Sequence, residues 1–392
     1  MLITSFRDYG YFYATLRLGT PPREFAVIVD TGSTITYVPC ASCGAKCGPH
    51  HKDAAFDPAA SSTAKPVACD SNQCSCGRPA CGCSQQQECT YQRNYAEQSS
   101  STGILMLDDL ELGESSVPLV FGCETSESGE IFNQEADGIL GLGNSEISLV
   151  NQLAGNKDIE DVFSLCFGSV EGDGALLLGD VDLDPWGINL THTPLLPSAA
   201  HPHYYCVGLE GIAVGDRWID VPPALYQEGY GSVLDSGTTF TYLPSEVFRI
   251  FVAEVTEYAL GKGLKEVNGP DAKFKDVCFG GAPTVDKAAE LEEVFPVMRL
   301  KLAGAVDLRL GPLTYLFMHA AEAGAYCLGV FDNGASGTLL GGITFRNTLV
   351  QYDRRSGRVG FGAAPCQAIG LNHRPCHASG VLDQWKCTRQ DV

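Results

Sequence analysis

The sequence predicts a mostly β protein built of two related lobes, and three observations carry that expectation. First, residues 26–39 read AVIVDTGSTITYVP and residues 231–244 read GSVLDSGTTFTYLP, so one motif occurs twice with matching flanks. Second, each copy is followed, at nearly equal distance, by an apolar-apolar-Gly segment: Ile139-Leu140-Gly141 after the first and Leu339-Leu340-Gly341 after the second. Self-similarity of that kind marks a duplicated unit. Third, short apolar runs are bounded by turn residues throughout a chain with 44 Gly and 21 Pro, which suits a sheet protein with many tight turns.

Tyr11 to Leu18, Phe25 to Val29, Leu119 to Gly122 and Ala175 to Leu178 are the clearest strand candidates. Two segments have helical spacing. Ser145 is expected to cap the first, with Ile147, Val150 and Leu153 inward and Gly155 ending it. Ser245 is expected to cap the second, with Val247, Phe251, Val255 and Tyr258 on one face and Gly261 as the stop. Thr193-Pro194-Leu195-Leu196-Pro197-Ser198 reads as the join between lobes. The expected organisation is an N-terminal lobe over 1–193, a linker over 194–203, a C-terminal lobe over 204–365 and a tail over 366–392.

Composition excludes some functions. With 26 Lys and Arg against 47 Asp and Glu, the formal net charge is −21 over 392 residues, which repels phosphate backbones and argues against nucleic-acid binding. No apolar run approaches the roughly 18 to 20 residues of a membrane span. There are 17 cysteines, nine of them between Cys40 and Cys89. That density points to an oxidising compartment. No signal peptide is visible after Met1, so the chain reads either as a mature fragment of a secreted precursor or as a cytosolic protein whose cysteines bind metal. The spacings of Cys40, Cys43, Cys47, Cys74, Cys76, Cys81 and Cys83 are irregular for zinc, even with His50 and His51 nearby, and nested disulfides in a loop too small for its own core explain them better. An odd total leaves at least one thiol free or paired with another chain. Asn189-Leu190-Thr191 is a glycosylation sequon.

A single Asp-Thr/Ser-Gly triplet is an ordinary turn. Two equivalent turns in two related lobes can instead each present a carboxylate, Asp30 and Asp235, to one cleft. Carboxylates about 3 Å apart cannot both ionise comfortably, so the pair shares one proton and titrates as a unit. The ionised member can act as general base on a water, and the protonated member can polarise a peptide carbonyl and then protonate the leaving nitrogen. That chemistry requires no metal and no other cofactor.

The chain resembles pepsin-like aspartic peptidases, and most closely the plant nepenthesin-type branch with its cysteine-rich insert. The resemblance runs from about Gly10 to Cys366 and rests on LGTPPREFAVIVDTGSTITYVPC, NYAEQSSSTGIL, ADGILGLG, SVLDSGTTFTYLP, AYCLGVF and LLGGITFRNTLVQYD. It implies a bilobal acid protease fold, two β-barrel-like lobes with a cleft between them. Asp30 and Asp235 match the catalytic pair. Thr31 and Ser236 match hydroxyls that bond to the opposite loop, Gly32 and Gly237 let the backbone approach each carboxylate, and Ser33 and Thr238 match donors to the outer carboxylate oxygens. Tyr95 matches the tyrosine of the flap, Ile28 and Ile139 match apolar walls of the pocket before the scissile bond, and Gly141 and Gly341 match the strands behind the catalytic turns. The insert corresponds to residues 40–89. Cys278 and Cys327 look like the bridge of the second lobe. The usual flap Tyr-Gly is here Tyr95-Ala96, and Tyr37 stands where most relatives have a Trp.

The resemblance implies a monomeric secretory-pathway endopeptidase, acting on peptide or protein substrates with apolar residues around the cut bond. A catalytically silent binding or inhibitor protein on the same fold is the alternative.

Overall fold

A computed structural model describes residues 1–6, 11–77, 79–169, 172–370, 376–378 and 385–387. The fold is mostly β. The chain divides into two compact units, one comprising Met1–Phe163 with Leu178–Asp180, the other Ser164–Leu177 with Val181–Val392.

In the first unit, Tyr11–Leu18 pairs antiparallel with Arg23–Asp30, Tyr13 standing opposite Ile28. Burial alternates along the first of these strands, as expected where one face meets solvent, while every residue from Phe25 to Asp30 is buried. A long hairpin, Ser100–Leu112 with Ser115–Ser128, forms the other wall. Tyr37–Pro39 lies parallel to it with Tyr37 opposite Gly122. A Cβ on Gly122 would stand 2.4 Å from the Tyr91 ring and 2.8 Å from Cβ of Tyr37, so glycine there is what lets the two rings pack at 6.0 Å between centroids.

All nine cysteines of the insert are in disulfides. Cys43–Cys47, Cys69–Cys83, Cys74–Cys89 and Cys76–Cys81 staple the insert itself, and Cys40–Cys123 ties its start to the long hairpin. The sulfurs of Cys74, Cys81 and Cys89 fall within 4.8 Å of one another, yet each is already bonded to sulfur and offers no thiolate to zinc.

In the second unit, Ser232–Asp235 runs parallel to Thr338–Gly341, and Thr241–Leu243 runs parallel to Val330–Asp332. Cys278 stands directly across an antiparallel pair from Cys327 and is bonded to it, and Cys166 is bonded to Cys366. Cys206 is buried and is the free cysteine among the described residues.

Three local expectations differ from the structure. The stretch read as a linker begins inside a strand, Thr191–Leu196, which pairs with Arg358–Ala363 from Thr191 to Pro194 and with Cys206–Val207 from Leu195. Pro194 sits where the strand exchanges one partner for the other, a place where a missing N–H is tolerated. The first helix is Leu149–Asn156, with Ser148 rather than Ser145 at its N-cap and Lys157, at φ 68°, closing it beyond Gly155. The second helix is Ser245–Gly261 with Pro244 at the N-cap; the Ser245 hydroxyl donates to Asp332 at 2.6 Å, and Ala259, not Tyr258, completes the buried stripe of Val247, Phe251 and Val255. Of the tail, Cys366–Gly370 is helical and Cys376–Ala378 pairs with Trp385–Cys387; His373 lies outside the described residues.

The first unit buries three groups whose proton affinity is raised. Glu124 is lifted to about 9 by burial and by neighbouring Glu127. Burial alone would lower His51, but Glu127, 3.6 Å from Nε2, and the carbonyls of Ala136 and Cys47 hold it at about 9. Asp137 is lifted to about 6 by burial and by Asp53, against the amides of Asp53 and Ala26 that donate to it. Each group binds its proton more tightly folded than unfolded, so its stabilisation is complete in acid and is lost as pH rises through the folded value. Thermal unfolding monitored from pH 4 to 9 should therefore shift to lower temperature with rising pH, and Glu124→Gln should flatten the alkaline part of the curve. A midpoint constant over that interval would contradict this account.

Candidate active site

Each Asp-Thr/Ser-Gly turn hangs on the same frame of crossed strands. In the first unit, Gly138–Gly141 runs parallel to the strand ending at Asp30, with Gly141 beside Asp30 and Ile139 opposite Tyr37. In the second, Gly341 lies beside Asp235 and Leu339 opposite Tyr242. The glycines are required by distance. A Cβ on Gly141 would approach the Thr34 carbonyl carbon to 2.5 Å, and one on Gly341 would approach the Phe240 carbonyl oxygen to 2.1 Å. The strands that follow then stitch each turn in place: Leu142 N–H donates to Asp30 O and Gly143 N–H to Ser33 O, both at 2.8 Å, while Gly342 N–H donates to Thr238 O at 2.8 Å.

The carboxylates are held alike. Gly32 N–H donates to Asp30 Oδ1 at 2.7 Å and Gly237 N–H donates to Asp235 Oδ1 at 3.0 Å, the self-capping bond expected of an Asx turn. Thr31, Ser33 and Ser236 are buried. The hydroxyls of Thr238 and Ser33 differ. Thr238 Oγ1 donates to Asp235 Oδ2 at 2.9 Å, whereas the buried Ser33 hydroxyl has no hydrogen-bond partner among the described residues. The expected donation from Ser33 to Asp30 is thus corrected. Threonine is stiffened at χ1 by its γ-methyl and serine is not, so the same backbone aims one hydroxyl and leaves the other unaimed.

Tyr95 begins the tip of a hairpin whose last pair is Asn94 with Ser100. The tip closes through Tyr95 N–H to Ser99 O at 2.9 Å and Gln98 N–H to Tyr95 O at 3.0 Å. Gln98 has φ 70°, a left-handed conformation that costs a non-glycine residue about 1 kcal/mol. Tyr95 Oη donates to Tyr37 Oη at 3.4 Å, long for two hydroxyls, so Tyr37 reaches Tyr95 with a phenol. Burial raises both phenols above their ordinary range and keeps them neutral. Ile28 and Ile139 stand side by side in the parallel pair and are core members, with Tyr95 packed partly buried against their cluster.

Two buried charged neighbours of the site escaped the sequence reading. Asp137, inside ADGILGLG, is 1% exposed and accepts from the amides of Ala26 and Asp53, tying the insert to the strand that ends at Asp30. Arg93, two residues before Tyr95, is 6% exposed. Its signal was legible as alternation: Cys89, Tyr91 and Arg93 are successive inward positions of one strand, and a cation at the third breaks the pattern.

Comparison with known proteins agrees with this frame. Residues 12–180 match the family described as xylanase inhibitor N-terminal, and residues 204–363 match xylanase inhibitor C-terminal. Aspartic proteinase 39 of Arabidopsis thaliana is 31% identical over 379 residues, covering 92% of this chain and 75% of the relative. Aspartic proteinase nepenthesin-1 of Nepenthes gracilis is 28% identical over 369 residues, covering 92% and 79%. In fold, the crystal structure of basic 7S globulin from soybean superposes with a TM-score of 0.70 at 20% identity, over 94% of this chain and 96% of that one. The chain belongs to the pepsin-like aspartic protease family. Its disulfides and its relatives point to the secretory pathway, and no helix among the described residues is long and apolar enough to cross a membrane.

The glycine contacts give a test. Gly141→Ala and Gly341→Ala should each destabilise the unit that carries it by about 3 kcal/mol or more, because backbone rather than a flexible side chain must give way. Guanidinium unfolding would show the loss; stability equal to the parent in both variants would show that the strands do not approach so closely.

Proposed function

We propose that the protein is an aspartic endopeptidase in which Asp30 and Asp235 act as one pair on a shared water. The observation that carries this reading is the intact state of both turns: each keeps its aspartate, its Gly amide on Oδ1 and the glycine strand beside it. In this reading the ionised member takes a proton from water as it attacks the peptide carbonyl. The other member, protonated, polarises that carbonyl and then delivers its proton to the leaving nitrogen. Tyr95 closes over the peptide and excludes bulk water. Ile28 and Ile139 favour apolar residues beside the cut bond. Thr31, Ser236 and Thr238 hold the loops. The chain acts as a monomer.

The final compartment is proposed to be extracellular, cell-wall or vacuole-like, where the raised proton affinities of Glu124, His51 and Asp137 match an acidic medium. Asn189 is exposed and accessible for glycosylation.

A second reading has one observation in its favour: both matched family descriptions name xylanase inhibitors. A chain of that kind would bind another protein and cleave nothing. Cleavage of a peptide library near pH 4, with and without pepstatin, separates the two. The endopeptidase reading expects pepstatin-sensitive cleavage that vanishes toward neutral pH. It also expects Asp30→Asn and Asp235→Asn each to lower kcat by about a thousandfold or more in a folded protein. Folded wild-type protein inert across the acidic range would favour the binding protein, whereas either variant near full rate would refute the assignment of Asp30 and Asp235 as the reacting pair.

A further inference from the structure

Arg93 occupies a position that its strand reserves for the core. Cys89, Tyr91 and Arg93 face inward while Gln92 and Asn94 face solvent, and Arg93 is only 6% exposed. A buried guanidinium ordinarily sits against a carboxylate. Among the described residues, all the acceptors of Arg93 are neutral. Nη2 donates to the carbonyl of Cys76 and to Thr34 Oγ1, the latter at 3.4 Å. Nη1 donates to the carbonyls of Gln92 at 2.8 Å and Pro79 at 3.5 Å. Nε is buried without a partner among the described residues.

Those acceptors come from three separate segments. Cys76 and Pro79 belong to the cysteine-rich insert, Gln92 to the root of the flap hairpin, and Thr34 to the loop that follows Asp30. The insert segment is rigid where it meets the guanidinium, because Cys76 is bonded to Cys81 and the adjoining Cys74 to Cys89 on the strand of Arg93 itself. Arg93 pairs with Ser101, one step before the last pair of the hairpin and two residues before Tyr95. Only a planar fork of fixed donors can serve carbonyls on two sides and a hydroxyl on a third; an ammonium presents a single point.

We propose that Arg93 is a positioning residue that joins the cysteine-rich insert, the flap root and the catalytic turn, so that the insert fixes the resting place of Tyr95 over a peptide substrate. The proposal rests on the endopeptidase reading for its consequence in turnover, but its structural half can be read without catalysis. An apolar side chain at this place would fill the space but leave the three segments unconnected, since only the guanidinium bonds to all of them.

The test compares the full chain with Arg93→Met, Arg93→Lys and the paired Cys76→Ala/Cys81→Ala variant. Two readouts are taken: amide hydrogen exchange of residues 94–101 in the free protein, and kcat and KM at pH 4 per active site titrated with pepstatin. Arg93→Met should raise exchange at 95–99 by about tenfold or more, with the strand Arg23–Asp30 unchanged, and lower kcat/KM about tenfold through both constants. Arg93→Lys should recover less than half of either loss. Combining Arg93→Met with the cysteine pair should add little beyond either alone, because both cut the same link. Exchange that rises evenly through the unit with kcat per titrated site unchanged would reduce Arg93 to a core prop and overturn the proposal, as would full recovery by lysine or independent effects of insert and arginine. If Arg93→Met does not fold, the lysine and cysteine variants decide by the same criteria. If the wild-type protein cleaves nothing, the endopeptidase reading fails, while exchange at 95–99 still decides whether Arg93 holds the flap.

Discussion

The contact on which the structure depends is the approach of a bare glycine strand to each of the two motif aspartates, Asp30 and Asp235. Gly141 beside Asp30 and Gly341 beside Asp235 leave no space for even a methyl group. That closeness lets the following residues bond back into each turn. It also places Tyr37 and Tyr242 across from Ile139 and Leu339. The duplication is therefore more than a resemblance of sequence: one steric solution is used twice, and both aspartates inherit their orientation from it.

What the sequence disclosed, and what it concealed, follows from how local the determinants are. Asp30, Gly32, Asp235 and Gly237 were legible because an Asx turn is written in three consecutive residues and repeated with its flanks. The Cys278–Cys327 bridge was inferable only through the family resemblance. Ser33 was misjudged because a serine hydroxyl takes its aim from χ1, which sequence does not specify. The start of the first helix slipped from Ser145 to Ser148 because both are plausible caps and only packing chooses between them. The supposed linker at Pro194 hid a strand because a proline at a change of partners looks like a break. Arg93, Glu124 and Asp137 meet partners far away in the chain, and their importance could not be read locally beyond the broken alternation at Arg93.

The first unit is unusual in how it disposes of charge. Glu124 and Glu127 lie together in the interior against His51, and Asp137 is shared between the insert and the core. A hydrocarbon interior tolerates such groups when their protons or hydrogen-bond donors are kept close. Here two of the donors come from the insert: the His51 ring beside Glu127 and the amide of Asp53 on Asp137. The insert thus neutralises the core of its own lobe as well as decorating the surface.

The bridge between Cys40 and Cys123 has one more consequence. It encloses the insert, the hairpin tip at Tyr95 and most of the long hairpin within a single covalent loop. Should any one peptide bond between residues 41 and 122 be severed, the two pieces stay joined through sulfur, and the Cys69–Cys83 bridge secures the interval it spans a second time. A chain nicked anywhere in that loop still travels as one covalent molecule.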